Sequence, residues 1–184
     1  PLPRRWKALS MAEDIGPGET SYNIYDRQVA SEAVKWLKGK AKDTKPWTLF
    51  VSLVAPHFPL IAPAEFYELY ENPRLMPSKS KPEPEHAWHE AMRNCQLMDN
   101  FTPEKTQIAL TSYYGLVSFV DELIGKILTA VKSLELEEST QIIYTSDHGD
   151  NIGERNLWGK SNFFEESVGI PLIIAGPDVP VGKF

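Results

Sequence analysis

The 184-residue chain is 42% hydrophobic and 24% charged, enough length and apolar content for one domain with a true core. Its net charge of −6, with no Lys/Arg block, excludes a nucleic-acid footprint, and no apolar run nears the roughly 18 residues of a membrane span. Cys95 is the only cysteine, which excludes an intrachain disulfide and a multi-cysteine metal knot; a soluble protein of cytoplasm or periplasm is equally compatible.

Residues 1–19 carry loop punctuation, ending Gly16-Pro17-Gly18-Glu19, and no apolar stretch follows Arg4-Arg5 to make a signal peptide. From Thr20 to Lys38, Ile24, Ala30, Ala33, Val34 and Leu37 recur at helical spacing, with Gly39 placed as a stop. The run 47–54 (Trp-Thr-Leu-Phe-Val-Ser-Leu-Val) is short, β-branched and aromatic, and reads as a strand buried on both faces. Pro56-His57-Phe58-Pro59 ends it. Pro63 opens a short helix through Tyr70. Residues 72–86, with Pro73, Pro77, Pro82 and Pro84, read as an exposed connection.

Thr102-Pro103 predicts the start of a long helix to about residue 135, packed through Leu116, Phe119, Leu123 and Ile127. Residues 141–146 and 170–175 read as two further buried strands. Strand, helix and strand in that order predict an α/β fold with a mainly parallel sheet flanked by helices. Ligands of such sheets sit beyond the carboxyl ends of the strands, where His57 and the pair Asp147-His148 fall.

The densest polar cluster is Ser146 to Glu154. Asp147 offers a carboxylate oxygen and His148 an imidazole nitrogen, a mixed set that suits Mn, Fe or Zn better than Ca. A strand-end turn capped by Asp explains the same residues without a metal. Several motifs fail on spacing. Gly153 to Gly159-Lys160-Ser161 holds five intervening residues where a P-loop has four, and an EF-hand beginning at Asp147 would put Trp158 at a ligand position. His86-Ala87-Trp88-His89-Glu90 lacks the zinc-protease order and reads as surface histidines. No Gly-x-Ser-x-Gly elbow exists. Lys160 could hold a sulfate or phosphate oxygen or be a solvated surface lysine. His57 could be a packed histidine or a rigidly held donor.

Taken together, Tyr144 to Lys160, continued by Phe163 to Ser167 and the Ile170-Pro171-Leu172-Ile173-Ile174 strand, resembles the second metal-ligand motif and following lysine of the sulfatases. Those belong to the alkaline-phosphatase superfamily. Residues 112–121 resemble the helix before that motif, and Pro56-His57-Phe58-Pro59 the family's histidine-bearing loop. The Asp-His pair looks closest to choline-sulfatases and phosphonate monoester hydrolases, and Gly169 stands where relatives commonly carry arginine.

The resemblance implies an alkaline-phosphatase-like fold, incomplete in this stretch. It implies that Asp147 and His148 bind a divalent metal (Ca, Mn or Zn), that Lys160 holds the sulfuryl oxygens, and that His57 helps protonate the leaving alcohol. The expected partner is a small-molecule sulfate or phosphate ester, with no membrane or nucleic acid and with room for a homo-oligomer. The family's formylglycine arises from Cys/Ser-x-Pro-x-Arg. Cys95, in Asn94-Cys95-Gln96-Leu97-Met98, does not fit it, and neither do Ser78 and the other serines. With both ends falling abruptly, residues 1–184 read as a central to C-terminal part of a sulfatase catalytic domain whose nucleophile-bearing part lies elsewhere.

Overall fold

The computed structural model describes residues 10–71, 75–80 and 83–182. The first half of the N-terminal loop reading, together with Pro73, Pro82, Lys183 and Phe184, lies outside those residues. Four strands and five α-helices are used below: β1 Ile15–Pro17, α1 Ser21–Lys40, β2 Leu60–Ala62, α2 Ala64–Tyr67, α3 Ala87–Gln96, α4 Pro103–Ser133, β3 Ile142–Thr145, α5 Glu165–Val168 and β4 Leu172–Ala175.

Helix α4 is the axis of the fold. Thr102 caps it by accepting the Lys105 N–H at 3.2 Å, and Pro103 fills the first turn, where no N–H is needed. Leu116, Phe119 and Leu123 are each 1% exposed, and Ile127 bridges the two apolar clusters. Each such side chain contributes roughly 1.5–3 kcal/mol by burial. The larger cluster joins α4 to Ala30, Leu60, Phe66, Phe101 and Trp158. Gly115 lets α4 approach β2 and α2, since a Cβ there would lie 3.0 Å from that of Ala62 and 3.1 Å from the Phe66 carbonyl oxygen. No helix among the described residues is long and apolar enough to cross a membrane.

Helix α1 begins as predicted, with Thr20 accepting the Asn23 N–H at 3.1 Å, but Gly39 lies inside it and Ala41 ends it. Its buried face is also shifted. Ile24 is 61% exposed, while Asn23 and Asp26 sit inside with Ala30, Ala33 and Leu37. Both polar side chains bind backbone: Asn23 Nδ2 donates to the Ile61 carbonyl at 3.2 Å, and Asp26 accepts the Val54 and Ala55 N–H groups at 2.8 Å.

The strands depart from the prediction in three ways. β1 pairs with β2 in parallel, Ile15 opposite Leu60, although residues 15–17 read as loop. α1 supplies the crossover that such pairing requires. The run 47–54 forms no strand and joins no ladder among the described residues. Its last N–H bonds go to Asp26 instead. β3 and β4 pair antiparallel rather than parallel, with Ile142 opposite Ala175 and Thr145 opposite Leu172. Turns, a single 3-10 turn at Glu154–Asn156 and the four-residue α5 lie between them, too little helix for a parallel crossover, so the chain doubles back. Nor are these runs buried on both faces. Phe50 is 88% exposed, Ile143 63% and Leu172 67%, because no described element covers them.

Candidate active site

The site forms where the run 47–54 and β3 both end. Asp26, by holding the Val54 and Ala55 N–H groups, fixes the end of the run that leads to His57. His57 Nδ1 lies 2.8 Å from the Phe58 carbonyl oxygen, so it carries the proton and donates, leaving the Nε2 lone pair open. Lys160 Nζ donates to that Nε2 at 2.9 Å across 103 positions of sequence.

Past β3, the chain turns sharply through residues 146–150. Ser146 Oγ donates to the His148 carbonyl at 2.9 Å, the His148 N–H donates to Asp147 Oδ1 at 3.0 Å, and the Gly149 N–H donates to the Ser167 carbonyl at 2.9 Å. Any Cβ on Gly149 would press into the Glu166 carbonyl oxygen, so only glycine lets the turn seat against α5. His148 Nδ1 is 2.8 Å from the Gly149 carbonyl oxygen, which leaves Nε2 free, 3.5 Å from Asp147 Oδ2. His57 and His148 face one another edge to face at 6.3 Å between ring centres.

The next loop sets the position of Lys160. Leu157 and Trp158 are 0% and 2% exposed, and Trp158 stacks on Phe101 at 4.3 Å and 17°. Lys160 therefore emerges from an anchored segment at the rim. All four residues expected at the site come together, with His57, Asp147 and His148 lining a groove of about 750 Å³ between α4 and β3/β4 and Lys160 bonded to His57.

Asp147 Oδ2 and His148 Nε2 fit a divalent cation in donor type and mutual reach. They are two donors only: among the described residues no group of three or more His, Cys, Asp or Glu converges. Burial alone would raise the Asp147 pKa, but His148, nearby N–H groups and Lys160 hold it below the ordinary carboxylate value. Asp150 is displaced the other way, since burial outweighs the N–H groups of Ile152 and Gly159. Burial, reinforced by the Asp150 charge, pushes Tyr113 on the groove wall up to about 12, so its phenol stays neutral there.

Several residues without an expected role also build this site. Asp150 and Asn151 stood in the polar run without a role, and Glu154 and Glu166 turn out to tie the site loop to residues 78–79. Glu154 accepts the Ser78 and Lys79 N–H groups at 2.9 and 2.6 Å, and Glu166 pairs with Lys79 and, at 2.7 Å, with Arg155. The pair read as surface histidines sits on or beside α3, a helix the sequence reading did not predict. His86 caps it, and half-buried His89 lies tilted at 33° against Phe164 with ring centres 4.6 Å apart.

An acid–imidazole pair, a second histidine and a lysine thus gather at one edge of this α/β unit. Comparison with known proteins places the chain in a family. A family model described as Sulfatase matches residues 6–182. The choline-sulfatase of Rhizobium meliloti (strain 1021) is 34% identical over 173 residues, covering 89% of this chain and 34% of the relative. Human iduronate 2-sulfatase is 32% identical over 167 residues, covering 83% of this chain and 30% of the relative. Among solved structures, the phosphonate monoester hydrolase SpPMH of Silicibacter pomeroyi superimposes with a TM-score of 0.72 at 26% identity, over 81% of this chain and 32% of that one. The chain belongs to the sulfatase family, with the alkaline-phosphatase-like α/β fold of its structural neighbours. It spans about a third of the length of the curated relatives it matches.

Proposed function

We propose that these residues form the leaving-group and oxyanion side of a sulfate-ester hydrolase and belong to a longer catalytic domain. The observation that carries the reading is the 2.9 Å contact of Lys160 Nζ with His57 Nε2 beside the Asp147–His148 pair. An ammonium that already donates to a neutral imidazole is poised to donate to an ester oxygen inserted between them. Lys160 then holds a sulfuryl oxygen, and His57, protonated at Nε2 from solvent once the ester displaces the Lys160 bond, gives that proton to the departing alkoxide and returns to the neutral imidazole. Asp147 and His148 would hold one divalent cation, which supplies charge stabilisation to the sulfuryl oxygens. The nucleophile, a formylglycine in this reading, comes from outside these residues, because no Cys/Ser-x-Pro-x-Arg occurs in the sequence. The 184 residues alone are therefore inactive.

Phosphonate monoesters or phosphodiesters form the second reading, favoured by the TM-score of 0.72 to a phosphonate monoester hydrolase. Turnover of aryl sulfate, phosphodiester and phosphonate esters by the full-length protein separates the two. Sulfate ester hydrolysis that falls at least 100-fold in Lys160→Ala is expected; turnover of phosphorus esters alone would reassign the substrate. Absence of Cys/Ser-x-Pro-x-Arg from the full reading frame would make the protein a non-catalytic binding module.

A further inference from the structure

We infer that Asp150 and Asn151 are positioning residues that grip the peptide unit of Gly159 from both sides and thereby aim Lys160 at His57. The Gly159 N–H donates to Asp150 Oδ1 at 3.0 Å. Its carbonyl oxygen accepts the Asn151 N–H at 2.8 Å and Asn151 Nδ2 at 2.5 Å. Lys160 is the next residue. Its long, flexible side chain can meet a fixed partner only if its own backbone is fixed, and these three bonds fix it.

Three features mark the grip as more than loop closure. Asn151 is 0% exposed, and its Oδ1 is buried with no hydrogen-bond partner among the described residues. Turning the amide over would set Oδ1 against the Gly159 carbonyl oxygen, so the side chain keeps Nδ2 on Gly159 and leaves the other atom unpaired. An unpaired buried acceptor is destabilising; it persists here because the alternative abandons Gly159. Gly159 itself has φ +72 and open space around the position of a Cβ, so the left-handed backbone, not crowding, requires glycine. Asp150 Oδ1 also accepts the Ile152 N–H at 2.8 Å, so one oxygen closes both ends of the loop.

This inference rests on Lys160 acting as the oxyanion-holding group, and its test is built to fail separately from that assignment. In the protein, the ¹⁵N shift of His57 Nε2 reports the hydrogen bond from Lys160. Asp150→Asn keeps an acceptor for the Gly159 N–H, whereas Asp150→Ala removes it. The expected result is a wild-type Nε2 shift and a protected Gly159 amide in Asp150→Asn, with both lost in Asp150→Ala. Wild-type behaviour in both variants overturns the inference, as does loss in both, which would mean that the carboxylate charge and not the Gly159 bond is required. Asn151→Ala, which leaves the backbone N–H in place, gives the same reading should Asp150→Ala not fold. In the full-length protein, misplacement of Lys160 lowers kcat by about 10- to 100-fold with KM nearly unchanged. That loss disappears when Asp150→Ala is made in a Lys160→Ala background. If Lys160→Ala alone leaves turnover intact, the proposed function fails, while the Nε2 shift still decides the grip.

Discussion

Asp26 and Val54 are joined by a 2.8 Å bond from a backbone N–H to a carboxylate lying at 0% exposure, with a second 2.8 Å bond to Ala55. The run ending at Val54 pairs with no strand among the described residues, and a helix side chain supplies the acceptors instead. Because His57 follows within three residues, the helix α1 and the site are mechanically linked.

Removing that carboxylate leaves two backbone donors unpaired in a buried place. Asp26→Ala should cost about 2–4 kcal/mol, measured by chemical denaturation. Asp26→Asn should fall between it and the parent protein, since one acceptor remains and the charge, whose burial raises the Asp26 pKa, is gone. Equal stability of all three would mean that the run is held by other contacts.

How much of this was legible beforehand follows from which forces act locally. Thr102-Pro103 and the apolar stripe of α4 predicted that helix to within two residues, because capping and periodicity are local. The meeting of His57, Asp147, His148 and Lys160 was legible because three of them stand in one specific motif and the fourth follows an apolar run. Strand direction was not. Whether Ile142–Thr145 runs parallel or antiparallel to Leu172–Ala175 depends on the path of the connection, and an apolar run looks the same either way. Asp26 was a missed signal: it lies on the same helical stripe as Ala30, Ala33 and Leu37, where a carboxylate must have a buried partner.

Gly149→Ala tests the turn that converges Asp147 and His148. The added methyl would meet the Glu166 carbonyl oxygen, which is backbone and cannot swing away. A loss of about 2–3 kcal/mol is expected, of the order of core overpacking. Gly39→Ala, with nothing within 4 Å of the new methyl, should instead be neutral or slightly stabilising. Thermal melts of the two variants side by side check the contrast.

Calorimetric titration of the 184-residue chain with Mn, Zn and Ca should give dissociation constants weaker than about 1 μM, because two donors forfeit the multidentate geometry these ions require. Asp147→Ala should abolish what binding remains. Sub-micromolar affinity would show that additional donors close the site.

Glu166 should make the site loop acid-labile. Its carboxylate bonds to Lys79 and to Arg155, and the first of these, with Arg155 adding, lowers its pKa from 4.5 to about 2. A carboxyl depressed on folding contributes stability that is fully present above the unfolded value near 4.5 and is lost as pH falls towards 2. Lys79 is half exposed, so solvent screening reduces the contribution to about 1–2 kcal/mol. Glu166→Gln should therefore lie below the parent protein in stability at pH 7, with the gap closing steadily between about pH 4.5 and 2. Denaturant midpoints across that range measure it. A gap that stays constant with pH would mean that Glu166 acts by packing against the turn at Gly149, not through its charge.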